Sequence, residues 1–404
     1  MFSKKQLVII SFILALLFHF AYYFNEYGPY ISVLRGFRIY WLALGSSLIM
    51  IFLYFATYWR SDLKGSSSSI PYDLLIIWIF VCFFRSALDV KGLGQLRDLL
   101  FNTYLGLSLM PVFFFIVGVN FNYFFSVNRL LTIYLIIVSI ISLPFINYSE
   151  IQLFLLYPIF YLILTIPLRQ NQGKLLIIVV SIFLLAISLT NRSGILRILI
   201  SYCIVAAYYA LEYIRVNKKL LNFIVFCILM IPVVSLILAL QGQSIFQMVL
   251  GSDTIDYSQL NPYADTRTFL YYEVFQDLSY NKAFTFGKGI DAGYSSIAFE
   301  TYNRSMVEVG FLQILMKTGI VGLLLYASVI ISAIFKSLSK SNNLFIKSLG
   351  LLLASYLLLI FIENVIAFNL LNIIIWIVVG MCHSPKLRGL SNEGIRNVFA
   401  GSPS

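Results

Sequence analysis

The chain has 404 residues, of which 60% are hydrophobic and 11% charged, with 28 Lys and Arg against 17 Asp and Glu. A soluble domain carries about 25% charged residues, because polar side chains have to cover its surface. A lipid bilayer removes that need, since it accepts an apolar exterior. The composition therefore excludes a soluble globular protein and indicates an integral membrane protein.

Continuous apolar runs predict an all-α polytopic protein with about twelve transmembrane helices, since a helix needs roughly 17–25 residues to cross a bilayer. The runs lie at 7–24, 39–58, 73–90, 104–120, 130–147, 151–168, 174–190, 197–214, 219–240, 308–335, 345–362 and 366–382. The tenth run is long enough for an interfacial turn followed by a span. The last two runs are joined by a very short link.

Lys and Arg placement predicts that both termini face the cytoplasm, because cytoplasmic segments are enriched in cations. With this orientation, 16 of the 28 cations lie in inner segments and 12 in outer ones. Ten of the 16 inner cations are Lys, whereas eight of the 12 outer ones are Arg. Arg binds phosphate and carboxylate groups through a planar fork. The outer Arg residues therefore indicate an anionic ligand on that face, although pairing with local acids or lipid headgroups explains any one of them equally well.

The predicted organisation has four parts: nine helices in 1–240, a large outer loop in 241–305, three helices in 306–382 and a cytoplasmic tail in 383–404. The outer loop is rich in acidic and aromatic residues, and loops of this length are usually functional. Within it, Asp265 to Leu278 predicts an amphipathic helix, since Leu270, Val274 and Leu278 recur at helical spacing. Phe286 to Gly289 then predicts a tight turn, or a turn whose backbone amides approach a ligand.

Further charged residues lie at predicted membrane edges. Arg192 and Arg197 lie where the eighth helix enters the membrane, a depth at which an ionisable residue is functional by default. The alternative is that these side chains only extend to the outer lipid headgroups. Glu363 lies in the apolar link between the last two helices, where a carboxylate predicts a cationic partner among the outer Arg residues. No group of His, Cys and carboxylate residues has the spacing of metal ligands, so the sequence predicts neither a metal nor another cofactor.

Three features together resemble one family. They are the Arg-bearing turn at 191–197, the outer-loop helix with its following glycine turn, and the stretch Asn303 to Tyr326 with Gly310-Phe311-Leu312-Gln313 and Gly319-Ile320-Val321-Gly322. This combination resembles the O-antigen polymerase and O-antigen ligase superfamily. Ligases of that family carry a His where this chain has Asn303-Arg304-Ser305, and the difference favours a polymerase.

The resemblance implies a GT-C-like glycosyltransferase in the bacterial inner (plasma) membrane, with its active site on the periplasmic face. Its substrates would be undecaprenyl-diphosphate-linked oligosaccharides, polymerised for O-antigen or another surface polysaccharide in lipopolysaccharide biosynthesis. A chain-length regulator and a flippase of the same pathway are the expected partners, and nucleic acid is not one. The alternatives are an O-antigen ligase and a lipid-linked oligosaccharide flippase, which is a transporter.

Residue roles follow from this chemistry. Fixed arginines would stabilise the diphosphate leaving group, and a carboxylate would deprotonate the acceptor hydroxyl. Glu308 is the first candidate for the base because it lies at the membrane edge, and Asp265 and Asp291 are the alternatives. A purely structural role for Glu308, in which it only pairs with Arg304 or another outer Arg, is equally compatible with the sequence. The candidates for diphosphate binding are Arg192, Arg197 and Arg267, followed by Arg304 and Arg35.

Overall fold

A computed structural model describes residues 3–27, 40–63, 69–142, 149–187, 192–213, 266–296, 301–304, 306–361, 363 and 366–400, and the single positions 223, 226, 227, 230 and 234. In this part of the chain the α-helices are α1 Lys4–Tyr27, α2 Tyr40–Leu63, α3 Ser69–Leu88, α4 Leu93–Phe101, α5 Phe115–Val119, α6 Phe124–Ser142, α7 Ser149–Leu164, α8 Asn171–Ile187, α9 Arg192–Tyr213, α10 Thr266–Tyr280, α11 Gly310–Lys340, α12 Leu344–Ile360, α13 Leu370–His383, α14 Pro385–Gly389 and α15 Asn392–Phe399. Short 3₁₀ helices occupy Gly106–Phe114, Phe121–Tyr123 and Ile166–Leu168. Two strands, β1 Tyr294–Ser296 and β2 Thr301–Arg304, pair antiparallel.

The chain forms a helical membrane protein. By length and composition, five segments of the described residues can cross a membrane: Lys4–Tyr22, Ile70–Leu88, Leu93–Val119, Phe121–Ile141 and Gly310–Lys340. Large apolar side chains are exposed on the outside of the helices, among them Leu17, Ile49, Phe84, Leu175 and Leu199. Such an extended apolar surface is unfavourable in water but suits lipid.

The predicted spans coincide with helical segments wherever the structure describes them. Eleven of the twelve contain a helix, and the ninth, 219–240, lies almost entirely outside the described residues. Several of the helices are shorter than a full span, such as α13 with 14 residues. The number of membrane crossings therefore stays a prediction.

The centre of the bundle is built from the fourth predicted span and α13. The fourth span is a nine-residue 3₁₀ helix with Pro111 inside, followed by α5, and all of its residues from 106 to 119 are buried. A Cβ on Gly118 would lie 1.8 Å from the carbonyl oxygen of Ile377, and one on Gly380 would lie 2.0 Å from that of Phe115. These two glycines therefore let two backbones pack in direct contact, as small residues do between membrane helices.

Helix α11 is broken at Gly319, which has φ 68° and ψ −175°. Its first part, Gly310 to Thr318, is short and almost entirely buried, and the second part continues to Lys340. The break divides the tenth predicted run as expected, but the part before it is a short buried helix rather than an interfacial turn.

One end of the bundle contacts the segment 266–308, and we call it the loop end. There, Arg85 Nη2 donates to the carbonyl oxygen of Gly287 at 3.1 Å. The Tyr271 hydroxyl donates to the carbonyl oxygen of Phe361 at 3.0 Å. Both contacts join residues that the Lys and Arg placement predicts to lie on the outer side of the membrane.

The opposite group of helix ends contacts the C-terminal segment Pro385–Phe399, and we call it the tail end. Asn343 Nδ2 donates to the carbonyl oxygen of Leu387 at 2.8 Å. The backbone N–H of Leu344 donates to Asn392 Oδ1 at 2.8 Å. These residues all belong to predicted cytoplasmic segments. Segments that are predicted to lie on the same side of the membrane therefore contact one another in the structure.

Candidate functional site

The predicted outer-loop helix is present as α10 and packs on the loop end. Leu270, Val274 and Leu278 are fully buried, which confirms the predicted apolar face. The Glu273 carboxylate accepts a hydrogen bond of 2.8 Å from the hydroxyl of Ser296 in β1. Helix and hairpin thus form one packed unit at the loop end.

The glycine turn at Phe286 to Gly289 packs against the bundle. Gly287 has φ 72°, and a Cβ there would lie 2.6 Å from the backbone of Lys317 and of Gly319. The turn therefore fits directly onto the break in α11. The Lys288 ammonium donates to Asp277 at 2.8 Å, so its charge is paired within the loop. These contacts support the plain-turn interpretation rather than a turn that approaches a ligand.

Arg197 and Glu363 form an ion pair between α9 and the link that follows α12. The two side chains are 9% and 18% exposed, so the pair is largely removed from solvent. The predicted cationic partner of Glu363 is therefore confirmed as Arg197. The guanidinium has five N–H donors, which leaves donors beyond those that the carboxylate accepts.

Arg304 and Glu308 form a second ion pair, with 2.7 Å between Nη2 and Oε1. The Arg304 side chain is 18% exposed and that of Glu308 is 40% exposed. Tyr294 lies beside Arg304, and burial raises the pKa of this phenol while the neighbouring guanidinium lowers it. Glu308 thus forms the ion pair with Arg304 that the sequence left open as its structural role, and its side chain remains partly exposed.

The two ion pairs are connected through the backbone. The N–H of Gly310 donates to the carbonyl oxygen of Glu363 at 3.1 Å. Glu308 is two residues before Gly310, so both pairs lie near the point where α11 begins. We refer to Arg197, Arg304, Glu308 and Glu363 as the charged junction.

The short first part of α11 also carries a buried cation, which the sequence interpretation missed. Lys317 is fully buried, and its ammonium donates to the carbonyl oxygen of Tyr104 and, at 3.2 Å, to Ser108 Oγ. Gln313 Nε2 donates to the same carbonyl oxygen at 3.1 Å. Asp291 is half-buried and interacts electrostatically with this ammonium. A single Lys in an apolar run gave no local signal of this role.

A cavity of about 640 Å³ opens beside this segment at the loop end. Its lining combines aromatic rings with polar and charged side chains: Tyr22, Trp41, Arg97, Asp98, Phe101, Asn102, Thr103 and Tyr104. Trp41 contacts Phe101 edge to face at 5.8 Å and Tyr22 at 6.2 Å. The volume lies in the range of about 300–1,000 Å³ that is typical of small-ligand sites.

The lining residues come from three separate parts of the chain, so no local motif predicted the cavity. It is linked to α11 through Tyr104, whose carbonyl oxygen accepts from Gln313 and Lys317. It is linked to the segment after Glu363 through Thr103, whose carbonyl oxygen accepts from the N–H of Phe368 at 2.8 Å. The cavity and the charged junction are therefore both hydrogen-bonded to the first part of α11 and to residues between α12 and α13.

For the other predicted site residues, the structure describes either the backbone alone or nothing. Arg192 begins α9 and Arg267 lies in the first turn of α10, but the structure does not describe either side chain. Asp265 and Arg35 lie outside the described residues. Of the predicted set, Arg197, Arg304 and Glu308 thus belong to the charged junction, and Asp291 interacts electrostatically with Lys317.

No protein-family model matches the chain, and no curated protein matches it either. The resemblance to the polymerase and ligase superfamily therefore stays a prediction from the sequence motifs.

Proposed function

We propose that this protein polymerises oligosaccharide repeat units carried on a polyprenyl diphosphate, on the outer face of a bacterial inner membrane. The observation that carries the proposal is the aromatic and polar cavity at the loop end, together with two arginine–carboxylate pairs near the start of α11, the helix to which Tyr104 of the cavity is hydrogen-bonded. A sugar and a diphosphate are the two parts of such a donor. The predicted GT-C-like fold, with twelve spans, belongs to the same proposal.

The cavity supports the sugar-binding part of the proposal. Aromatic rings offer flat apolar faces to the C–H groups of a pyranose ring. Asp98, Asn102 and Thr103 add hydrogen-bonding groups around the same space. The Asp98 carboxylate also accepts from Arg97 at 2.9 Å, which places both charges at the edge of the cavity.

The charged junction supports the diphosphate-binding part. When the acceptor hydroxyl oxygen attacks the anomeric carbon, the bond from that carbon to the diphosphate oxygen breaks, and the diphosphate leaves with the electron pair. Preorganised guanidinium groups stabilise such developing negative charge, and they cost no reorganisation during the reaction. Arg197 and Arg304 are already oriented by their carboxylates. Arg192, Arg267 and Arg35 remain further candidates for the same role.

The acceptor hydroxyl loses its proton during this attack, and a carboxylate is the proposed acceptor. Glu308 is first, because its side chain is 40% exposed at the beginning of α11. Asp291, which interacts electrostatically with Lys317, and Asp265 are the alternatives. A base needs to lie within hydrogen-bond reach of the hydroxyl, so position comes before proton affinity.

The decisive experiment supplies the purified protein with a synthetic undecaprenyl-diphosphate repeat unit and no other substrate. A ladder of longer glycans on the lipid is the expected result. A ligase would require the core of a lipid acceptor before any product formed. A flippase would move the unit across vesicle membranes without lengthening it, and either result would overturn the proposal.

A further inference from the structure

A second cavity, of about 400 Å³, lies at the tail end of the bundle. Phe125, Asn128, Arg129, Thr132, Arg169 and Phe399 line it, so two guanidinium groups face one space without a carboxylate in the lining. This end is opposite the charged junction, and the glycosyl transfer proposed above makes no use of it.

Arg169 is held in place by two hydroxyl groups. Its Nε donates to Thr165 Oγ1 and its Nη2 donates to Thr132 Oγ1, each at 2.8 Å. Both hydroxyls donate their own protons to backbone carbonyl oxygens, at 2.6 and 2.8 Å. They are therefore fixed as neutral acceptors, and they use only two of the five N–H donors of the guanidinium.

No acid neutralises this pair of arginines in the part of the chain that the structure describes. The ion pairs found there join Arg97 to Asp98, Arg197 to Glu363, Lys288 to Asp277 and Arg304 to Glu308. A fixed, half-buried guanidinium with spare donors is suited to bind a phosphate oxygen pair.

The amphipathic helix α15 covers one side of the cavity. Its residues Ile395 and Val398 are buried against the bundle. The ring centroid of Phe399 lies 5.2 Å from the Arg169 Cζ, in a cation–π contact. An amphipathic helix packed at the ends of apolar helices is typical of the membrane interface, the depth of lipid headgroups. Basic pockets between helices on the cytoplasmic side bind anionic headgroups in other membrane proteins.

We propose that the tail-end cavity is a phosphate-binding site, in which Arg169 and Arg129 hold the phosphate group of an anionic phospholipid or a soluble phosphate. Arg169 supplies the fixed fork, and Arg129, which is exposed, supplies a second charge at the rim.

The test uses the purified full chain in a neutral detergent. Phosphatidylglycerol, phosphatidylcholine and inorganic phosphate are titrated separately, and thermal unfolding and lipid retention by native mass spectrometry are measured. The variants are Arg129→Gln, Arg169→Lys and both together. Lys386→Gln is the matched control, because Lys386 is an exposed cation of the same end outside the cavity.

Phosphatidylglycerol is expected to stabilise the wild type and to bind the double variant at least about tenfold more weakly, since hydrogen bonds between charged groups are involved. Lys386→Gln should bind like the wild type. Protection by inorganic phosphate alone, lost in the double variant, would assign the site to a soluble phosphate. Equal binding by wild type and double variant, or an equal loss in Lys386→Gln, would overturn the proposal. If Arg169→Lys folds poorly, the single variant Arg129→Gln provides the test. Unchanged phosphatidylglycerol binding in that variant would also contradict the proposed site.

Discussion

The ion pair between Arg197 and Glu363 allows two interpretations of the role of Arg197. A carboxylate offers the same pair of oxygens as a phosphate, so Glu363 either orients the arginine fork for a diphosphate or simply neutralises it. The pair is largely buried, and removing one partner of such a pair leaves an uncompensated charge. Stability and activity therefore respond differently to single and double substitutions.

Arg197→Gln is expected to destabilise the protein by up to about 3–5 kcal/mol, because the Glu363 carboxylate loses its partner. Arg197→Gln combined with Glu363→Gln should recover most of the stability, as measured by thermal unfolding in detergent. Glycan polymerisation should stay lost in the double variant if Arg197 binds the diphosphate. Wild-type chain lengths in the double variant would show that the pair is only structural.

Glu308→Gln is expected to reduce polymerisation by about 10²–10⁴-fold, the usual contribution of a general base. The amide keeps the size of the side chain and can still accept from Arg304, so folding and binding of the lipid-linked unit should be retained. Glu393→Gln, an exposed acid at the tail end, is the control. Normal turnover in Glu308→Gln together with a loss in Asp291→Asn would move the base to Asp291.

Trp41→Ala tests the cavity at the loop end. Removing the indole deletes the ring that contacts both Tyr22 and Phe101, so binding of the lipid-linked glycan should weaken by at least about tenfold, while Trp41→Phe should lose less. Binding is measured by retention of a labelled repeat unit on the purified protein. Equal retention by Trp41→Ala and the wild type would remove the cavity from the proposed site.

The first part of α11 connects the cavity to the charged junction. It begins at Gly310, bonded to Glu363, and carries Gln313 and Lys317, bonded to Tyr104. It ends at the Gly319 break, where the glycine turn of the outer loop fits. A shift of this short helix would disturb both parts of the proposed site together.

Gly319→Ala is expected to destabilise the docking of the outer loop by about 2 kcal/mol or more, because left-handed backbone is strained with a side chain. A Cβ there would also lie 2.2 Å from the carbonyl oxygen of Thr285. Gly45→Ala is the control, since a Cβ at Gly45 meets nothing within 4 Å. Faster proteolysis within 266–296 is the measured effect, and equal rates for both variants would contradict this account.

Elements were easier to predict from the sequence than the contacts between them. Apolar runs marked the helices because bilayer length fixes their size, and helical spacing identified the buried face of α10. The 3₁₀ helix at Gly106–Phe114 gave no signal, since a run that is apolar on all sides carries no periodicity. The cavity could not be predicted from the sequence for another reason, because Tyr22, Trp41 and Thr103 come together only in the folded bundle.

The bundle carries a different kind of charged site at each of its two ends. The loop end has arginines paired with carboxylates, whereas the tail end has two arginines facing a cavity without an acid in its lining. The glycosyl transfer proposed at the loop end and the phosphate binding proposed at the tail end therefore depend on different arginines.

The orientation of the two ends decides whether this arrangement can work, because the proposed transfer requires the loop end to face outward. Tyr280 is 88% exposed at the loop end, and Lys386 is exposed at the tail end. Tyr280→Cys and Lys386→Cys are introduced singly after the exposed Cys203 and Cys227 are changed to Ser. A membrane-impermeant maleimide should label Tyr280→Cys in intact spheroplasts and Lys386→Cys only after permeabilisation, as the excess of Lys in the predicted inner segments indicates. The chain without an added cysteine reports the background. The reverse labelling pattern would place the cavity and the charged junction in the cytoplasm, away from an outer-face glycan, and would exclude the proposed reaction.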